Sequence, residues 1–485
     1  MVNEKRSLKE KTAKGLLWGG VSNAIQQLLN LFFGIFLARL LTPADYGMVG
    51  MLSIFVLLAS ALQESGFISA LANRQEVKHE EYNAVFWFST LMGLALYLLL
   101  FACAPLIADF YGKPELIPLS RVLFLGFLIS SSGTAHNAAL FKNLMVRQKA
   151  TAQIVGLCVS GSVGITLALH GMAYWGIAIQ SVSYIATSTA LFWYFSPWRP
   201  TWHIDFRPLR GLIGFSSKML ATNMVTHLNN NLFTVLLGRL FSPAEVGHYT
   251  QASKWSYMGY SLVTGMVGSV AQPVLAQVAD DAERQRKVFR KMLRFTAFVS
   301  FPSMLGLALI ARELIVLAVT DKWLPCVPIL QMLSLWSAFL PIQQLYSHLI
   351  VSRQKSNIQL WNTLMLSILQ LLTLWLTHPY GIPVMVMAYV GLNIAYLLVW
   401  HSYVHRAIGL RLTEVLRDVL PFALLAGGVM IVTWYATRPI SSPLPLLLAK
   451  ILLAATLYAA ILWFSRAVVF HESIEFLLSR LQRKA

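Results

Sequence analysis

The sequence predicts an all-α integral membrane protein with about fourteen transmembrane helices: two parallel six-helix repeats and two extra C-terminal helices. Three observations predict it. The chain is 57% hydrophobic and only 12% charged, with mean hydropathy +0.62 over 485 residues, more apolar surface than a soluble protein can hide. Apolar runs of about twenty residues recur along its whole length, each able to cross a bilayer core of roughly 30 Å as a helix. One stretch is also written twice: LARLLTPADYG at residues 37–47 returns as LGRLFSPAEVG at 237–247, identical at six of eleven positions. The match runs back without a gap through Asn23 and Asn223, and Asn30 and Asn230, so the repeat organises the chain.

Taken in order, a basic tail over 1–14 (Lys5, Arg6, Lys9, Lys11, Lys14) precedes the first apolar run, 15–40. That run is too long for a signal peptide and has no small-residue cleavage site, so it reads as a span. The second span, 44–71, begins at the repeated corner. Spans 83–108, 116–139, 150–170 and 174–195 follow, separated by short loops near Gly112 and Gly171 and by the charged stretch 142–149. They complete an N-terminal lobe, 15–195. Residues 196–211, rich in Pro, Trp and Arg, read as a cytoplasmic linker. Spans 212–240 and 244–275 repeat the hairpin, and 292–319, 326–350, 356–377 and 382–404 complete a second lobe, 212–405. Six spans separate the two corners, an even number that restores orientation, so the lobes are parallel repeats. Arg147-Gln148-Lys149 and Arg353-Gln354-Lys355 echo one another after the fourth span of each lobe. Spans 414–436 and 443–465, within 406–467, have no counterpart in the first lobe. The tail, 468–485, alternates apolar and basic residues as a helix lying on the inner membrane face does.

A net charge of +18 raises nucleic acid as a partner, and its distribution removes it. With a cytoplasmic N-terminus, most Lys and Arg fall in the tails and every second loop, as the positive-inside rule requires; both termini are then cytoplasmic. Cys103, Cys158 and Cys326 have no paired spacing and indicate neither a disulfide framework nor a metal site. His401 and His405 are four apart but lack a third ligand, so no metal site is expected. No Gly-rich phosphate loop with its Lys is present, which excludes ATP hydrolysis by this chain.

Each corner has the chemistry of a capped helix start. Thr42 or Ser242 is the N-cap, Pro43 or Pro243 occupies the first helical position, and Asp45 or Glu245 the third, where it meets orphan amides and the positive helix end. Arg39 and Arg239 sit in the preceding last turn, where a cation suits the negative end. The motif reads as a tight helix hairpin, with substrate contact as the alternative.

Among residues with chemistry to offer, Lys254 stands out. It lies eleven residues after Pro243, roughly 16 Å down its span and near the midplane. A cation there is costly unless it faces water, an anion or an internal partner. Lys254 is either an anion contact in a central cavity or a structural Lys solvated by Gln251, Ser253, Ser256 and Tyr257. Asn30, Asn230 and His227 also fall near mid-depth, in a polar stripe that either lines a wet cavity or glues helices. Arg121, Lys218, Arg39 and Arg239 are shallower; they form a ladder of cations for an anionic headgroup or serve as interfacial anchors. Glu64 falls near the inner surface as a gate residue. No carboxylate is placed deep enough to nominate an ion site.

The parallel bundles, the repeated R-L-[LF]-[TS]-P-A-[DE]-x-G corner and Glu64-Ser65-Gly66-Phe67 closing the second span together resemble a known family. It is the polysaccharide-export (Wzx-type) branch of the multidrug, oligosaccharidyl-lipid and polysaccharide exporter superfamily. The resemblance implies lobes like those of MATE and MurJ transporters. It further implies a flippase that moves undecaprenyl-pyrophosphate-linked repeat units across the bacterial cytoplasmic membrane, for O-antigen, capsule or exopolysaccharide, by alternating access. No cofactor is implied; coupling to Na+ or H+ is a family-level expectation. Implied partners are the lipid-linked oligosaccharide, membrane lipids, and the polysaccharide polymerase and chain-length machinery. Two alternatives stand beside it: a membrane-embedded polymerase or ligase, disfavoured because outer loops are short, and a MATE-like small-molecule exporter, disfavoured because the first span has no acid.

Overall fold

The computed structural model describes residues 22–64, 71, 77–143, 145–209, 224, 231, 233–353, 355–472 and 475, excepting the side chains of 58–64, 269, 273 and 356. Among them the secondary structure is helical, with no strand. Helix α1 covers 22–40, α2 Pro43–Glu64, α3 His79–Tyr111, α4 Leu116–Lys142, α5 Val146–Leu169 and α6 Tyr174–Phe195. Helix α7 covers 233–240, α8 Pro243–Gln277, α9 Ala282–Val319, α10 Cys326–Ser352, α11 Ser356–Thr377, α12 Ile382–Ile408, α13 Leu412–Ala436 and α14 Pro443–Phe464.

Among the described residues, nine helices are long and apolar enough to cross a membrane: α3, α4, α5 and α9 to α14. Helices α6 and α8 are long enough, at 22 and 35 residues, but too polar to be among the nine. The first half of α8 carries His248, Thr250, Gln251, Ser253, Lys254 and Ser256. A helix of that composition is stable in a membrane only where it faces protein or water.

The chain divides into two compact units, Met1–Gly247 and His248–Ala485. In the first, α3 packs on α4, α5 on α6, and α6 on α4. Close approach uses small residues, as membrane helices do when no solvent drives them together: a Cβ on Gly156 of α5 would collide with the Ser188 hydroxyl of α6. Residues 196–209, expected as a linker, are fastened across the start of α3. The Trp87 indole donates to the Thr201 carbonyl at 2.8 Å, the Thr201 amide donates to Asn83 Oδ1 at 2.9 Å, and the Trp198 indole reaches His79 at 3.1 Å. Trp198 and Leu209 thereby join the apolar cluster of Tyr82, Val85, Phe86 and Ala135.

In the second unit α9 is the hub, packed on α10, α13 and α14 around Phe289, Phe301, Tyr346 and Trp400. Its basic end is bound to α13 by a two-pronged ion pair: Arg290 Nε and Nη2 donate to the two Asp418 oxygens at 2.6 and 3.0 Å, and Nη1 to Glu414 at 3.0 Å. Buried Gln285 ties three elements together, donating to the Leu275 carbonyl at 2.9 Å and to Ser352 at 3.2 Å while accepting from Arg353 at 2.7 Å. That gives Arg353, one half of the sequence echo, a structural duty.

Candidate functional site

Both corners form reciprocal capping boxes. At the first, the Thr42 amide and hydroxyl donate to Asp45 Oδ2 at 2.8 and 2.6 Å, and the Asp45 amide donates back to the Thr42 hydroxyl at 3.3 Å. At the second, the Ser242 amide and hydroxyl donate to Glu245 Oε2 at 3.0 and 2.7 Å, and the Glu245 amide returns a bond at 3.4 Å. The hydroxyl and carboxylate thus satisfy orphan donors that would otherwise face an apolar medium.

The structure also assigns a role to the glycine that ends each motif. A Cβ on Gly47 would collide with the Pro243 carbonyl oxygen, and a Cβ on Gly247 with the Pro43 carbonyl oxygen. The corners therefore touch backbone to backbone, each glycine under the other's proline, at a separation that excludes any side chain. Gly238, where the first copy has Ala38, is close-packed too: a Cβ there would lie 2.6 Å from Tyr111 Cε1 and 2.9 Å from Met51 Cγ. Arg239 rests over the Phe110 ring at 5.6 Å and Arg121 over the Phe101 ring at 4.1 Å. Two cations of the expected ladder thus meet aromatic faces on α3. Arg39 is exposed.

Lys254 belongs to the second unit. Its side chain is exposed, and among the described residues it has no hydrogen-bond or ion-pair partner. The residues that offered to solvate it are otherwise disposed. Ser256 bonds Ser337 at 2.7 Å, and Gln251 is buried, with its Oε1 unpartnered. Trp255 Nε1 beside it is also unpartnered. Lys254 is thus exposed beside buried polar atoms that have no partner among the described residues, which are costly to leave so.

On α1, Asn23, Gln27 and Asn30 are exposed. Gln26 instead bonds Ser22 at 2.8 Å and reaches Gln153 of α5 at 3.4 Å. The polar stripe thus separates into one glue residue and an open face. Of the other candidates, Asn230, His227 and Lys218 lie outside the described residues, as does the side chain of Glu64, whose backbone ends α2. In the second unit, Gln370 bonds Asn393 at 3.0 Å and Tyr396 bonds Asn362 at 3.1 Å, the interhelical role of buried amides. Among the described residues no group of three or more His, Cys, Asp or Glu is placed to hold a metal. His405 Nδ1 lies 2.9 Å from the Leu410 carbonyl oxygen.

A carboxylate is buried in an apolar helix: Glu313 of α9 pairs with Lys450 of α14 at 2.8 Å, and both side chains are 7% exposed. The signal was in the sequence, since a lone acid within LALIARELIVLAV and a lone Lys within PLLLAKILLAA are each too costly to stand alone.

A family model described as "Polysaccharide biosynthesis protein" matches residues 36–328, more than half of the chain and both corners. The chain belongs to this family of polysaccharide biosynthesis proteins. Lipopolysaccharide biosynthesis protein WzxC of Escherichia coli (strain K12) is 27% identical over 335 residues, 67% of each chain. Succinoglycan biosynthesis transport protein ExoT of Rhizobium meliloti (strain 1021) is 24% identical over 300 residues, 62% of this chain and 60% of that one. The structure of lipid II flippase MurJ in an inward closed conformation superposes with a TM-score of 0.76 at 17% identity, covering 93% of this chain and all of MurJ. This polysaccharide biosynthesis protein therefore has the MurJ fold, and it is a multi-pass membrane protein.

Proposed function

We propose that this protein is the flippase that carries undecaprenyl-pyrophosphate-linked oligosaccharide repeat units across the bacterial cytoplasmic membrane for O-antigen, capsule or exopolysaccharide synthesis. The family assignment gives the pathway class, and the MurJ fold is that of a protein titled a lipid II flippase. Relatives named for transport favour translocation over catalysis. The architecture is fourteen spans, as two parallel six-helix repeats and two added helices, with both termini cytoplasmic. Transport is alternating access, one repeat rocking against the other. Lys254 is the observation that carries the reading. An exposed, unpartnered ammonium eleven residues into a helix too polar to face lipid supplies a contact for a pyrophosphate or an acidic sugar. Asn30, from the open face of α1, supplies amide contacts to sugar hydroxyls. Direction comes from an ion gradient, the membrane potential or removal of the product, which the polymerase and chain-length machinery receive.

The test is lipid-linked sugar in cells lacking this chain, supplied in trans with wild type, Lys254→Ala or Lys254→Arg at equal membrane abundance. Complete repeat units should accumulate on the inner leaflet, relieved by wild type and not by Lys254→Ala. If complete units reach the outer leaflet and merely fail to be joined, the chain is a polymerase or ligase and the flippase reading is wrong.

A further inference from the structure

The second unit holds a cavity of about 550 Å³ between α9, α10 and α13, with Lys450 of α14 on its wall. Arg312, Glu313, Gln331, Trp434 and Lys450 are its polar lining; Leu305, Met332, Leu335 and Ile431 are among its apolar lining. It lies toward the end of α9 remote from the basic run 284–294. Arg312 is seven residues before the helix end at Val319, about 10 Å inside it by helix rise.

The charges on this wall do not cancel. Glu313 and Lys450 neutralise one another, and Lys450 also donates to the Leu309 carbonyl at 3.1 Å, leaving one of its three N–H donors free. Gln331 is spent on the Ala308 carbonyl at 3.1 Å. Arg312 is exposed and has no hydrogen-bond or ion-pair partner among the described residues, so it is the surplus cation. A guanidinium at that depth is unfavourable unless it snorkels to the interface or meets an anion. Arg312 lines the cavity, so an anion seated there comes within reach of its side chain.

We propose that this cavity binds the phosphate of a lipid headgroup, in the leaflet opposite the basic ends of the helices. The Arg312 fork takes the phosphate oxygens, the spare Lys450 donor assists, and the apolar wall takes the start of the attached chain. A phosphate is the anion that membranes present at this depth already joined to an apolar chain. Two lipids carry that chemistry: a glycerophospholipid, and a polyprenyl pyrophosphate. The second depends on the flippase reading; the first does not.

The experiment is native mass spectrometry of the full chain in detergent, titrated separately with phosphatidylglycerol and with undecaprenyl pyrophosphate. Arg312→Gln should weaken one bound lipid by about tenfold or more, the loss of a charge-assisted hydrogen bond. Arg312→Lys, which keeps the charge and loses the fork, should recover only part of the binding, and Lys113→Gln, a cation in the first unit, should change nothing. Whichever lipid loses affinity identifies the source. Equal binding of both lipids by wild type and Arg312→Gln overturns the proposal, as does an equal loss in Lys113→Gln. Neither outcome touches the leaflet assay for transport, so the two readings fail separately.

Discussion

Lys254 and the two corner glycines illustrate opposite degrees of legibility. Lys254 can be singled out because, in the fourteen-span reading, a cation at its place is expensive whatever surrounds it, and that place follows from counting residues from a capped helix start. We expect Lys254→Ala to lower transport by at least about tenfold at unchanged abundance, with Lys254→Arg partly active, because a charge-assisted contact contributes roughly 1.5–3 kcal/mol. The capping pairs Thr42 with Asp45 and Ser242 with Glu245 are legible for a different reason: cap and acid are three residues apart, so local chemistry decides them. Thr42→Ala should destabilise the fold by about 1 kcal/mol, read as a lowered melting temperature in detergent. Gly47 and Gly247 stand in the same motif, yet their purpose lies in a contact across two hundred residues, which no local rule encodes. Gly47→Ala and Gly247→Ala should each destabilise more than Thr42→Ala, since a Cβ there meets backbone that cannot rotate aside. A melting temperature unchanged by either glycine substitution would refute the close contact.

At the scale of elements, the sequence located the helices, including the two whose polar content leaves them below the hydropathy of a span. Helices α6 and α8 have the length of spans without the hydropathy, because surfaces turned to protein or water need no apolar side chains. The ties between elements were less legible. Arg290 and Asp418 are 128 residues apart, and charged residues near helix ends look like ordinary topology signals until the fold brings them together. The fork holds α13 against the hub of its unit, so Arg290→Ala should cost about 2–3 kcal/mol, below the range for a fully buried pair because Arg290 is partly exposed. A double-mutant cycle with Asp418→Asn should show strong coupling. Additive effects would mean that the two residues stabilise the unit independently.

For the whole molecule, an all-helical membrane fold followed from composition, and the MurJ likeness over 93% of the chain agrees with that much. The fourteen spans proposed above put the C-terminus on the same side as the N-terminus and Gly112 on the other, which is open to test. A cytoplasmic reporter fused after Ala485 should therefore be active, and a cysteine introduced at Gly112 should react with an impermeant reagent added outside. The opposite pattern at either position would remove an odd number of spans from the count. The crossed glycines have a further consequence, for how such a chain can change over time. Because each copy of the corner is the mould for the other, neither can drift alone: a bulkier residue at 47 is tolerated only if the backbone at 243 gives way, and the reverse holds at 247 and 43. The two similar stretches are thus kept alike by mutual fit, and the similarity between them persists as long as they touch.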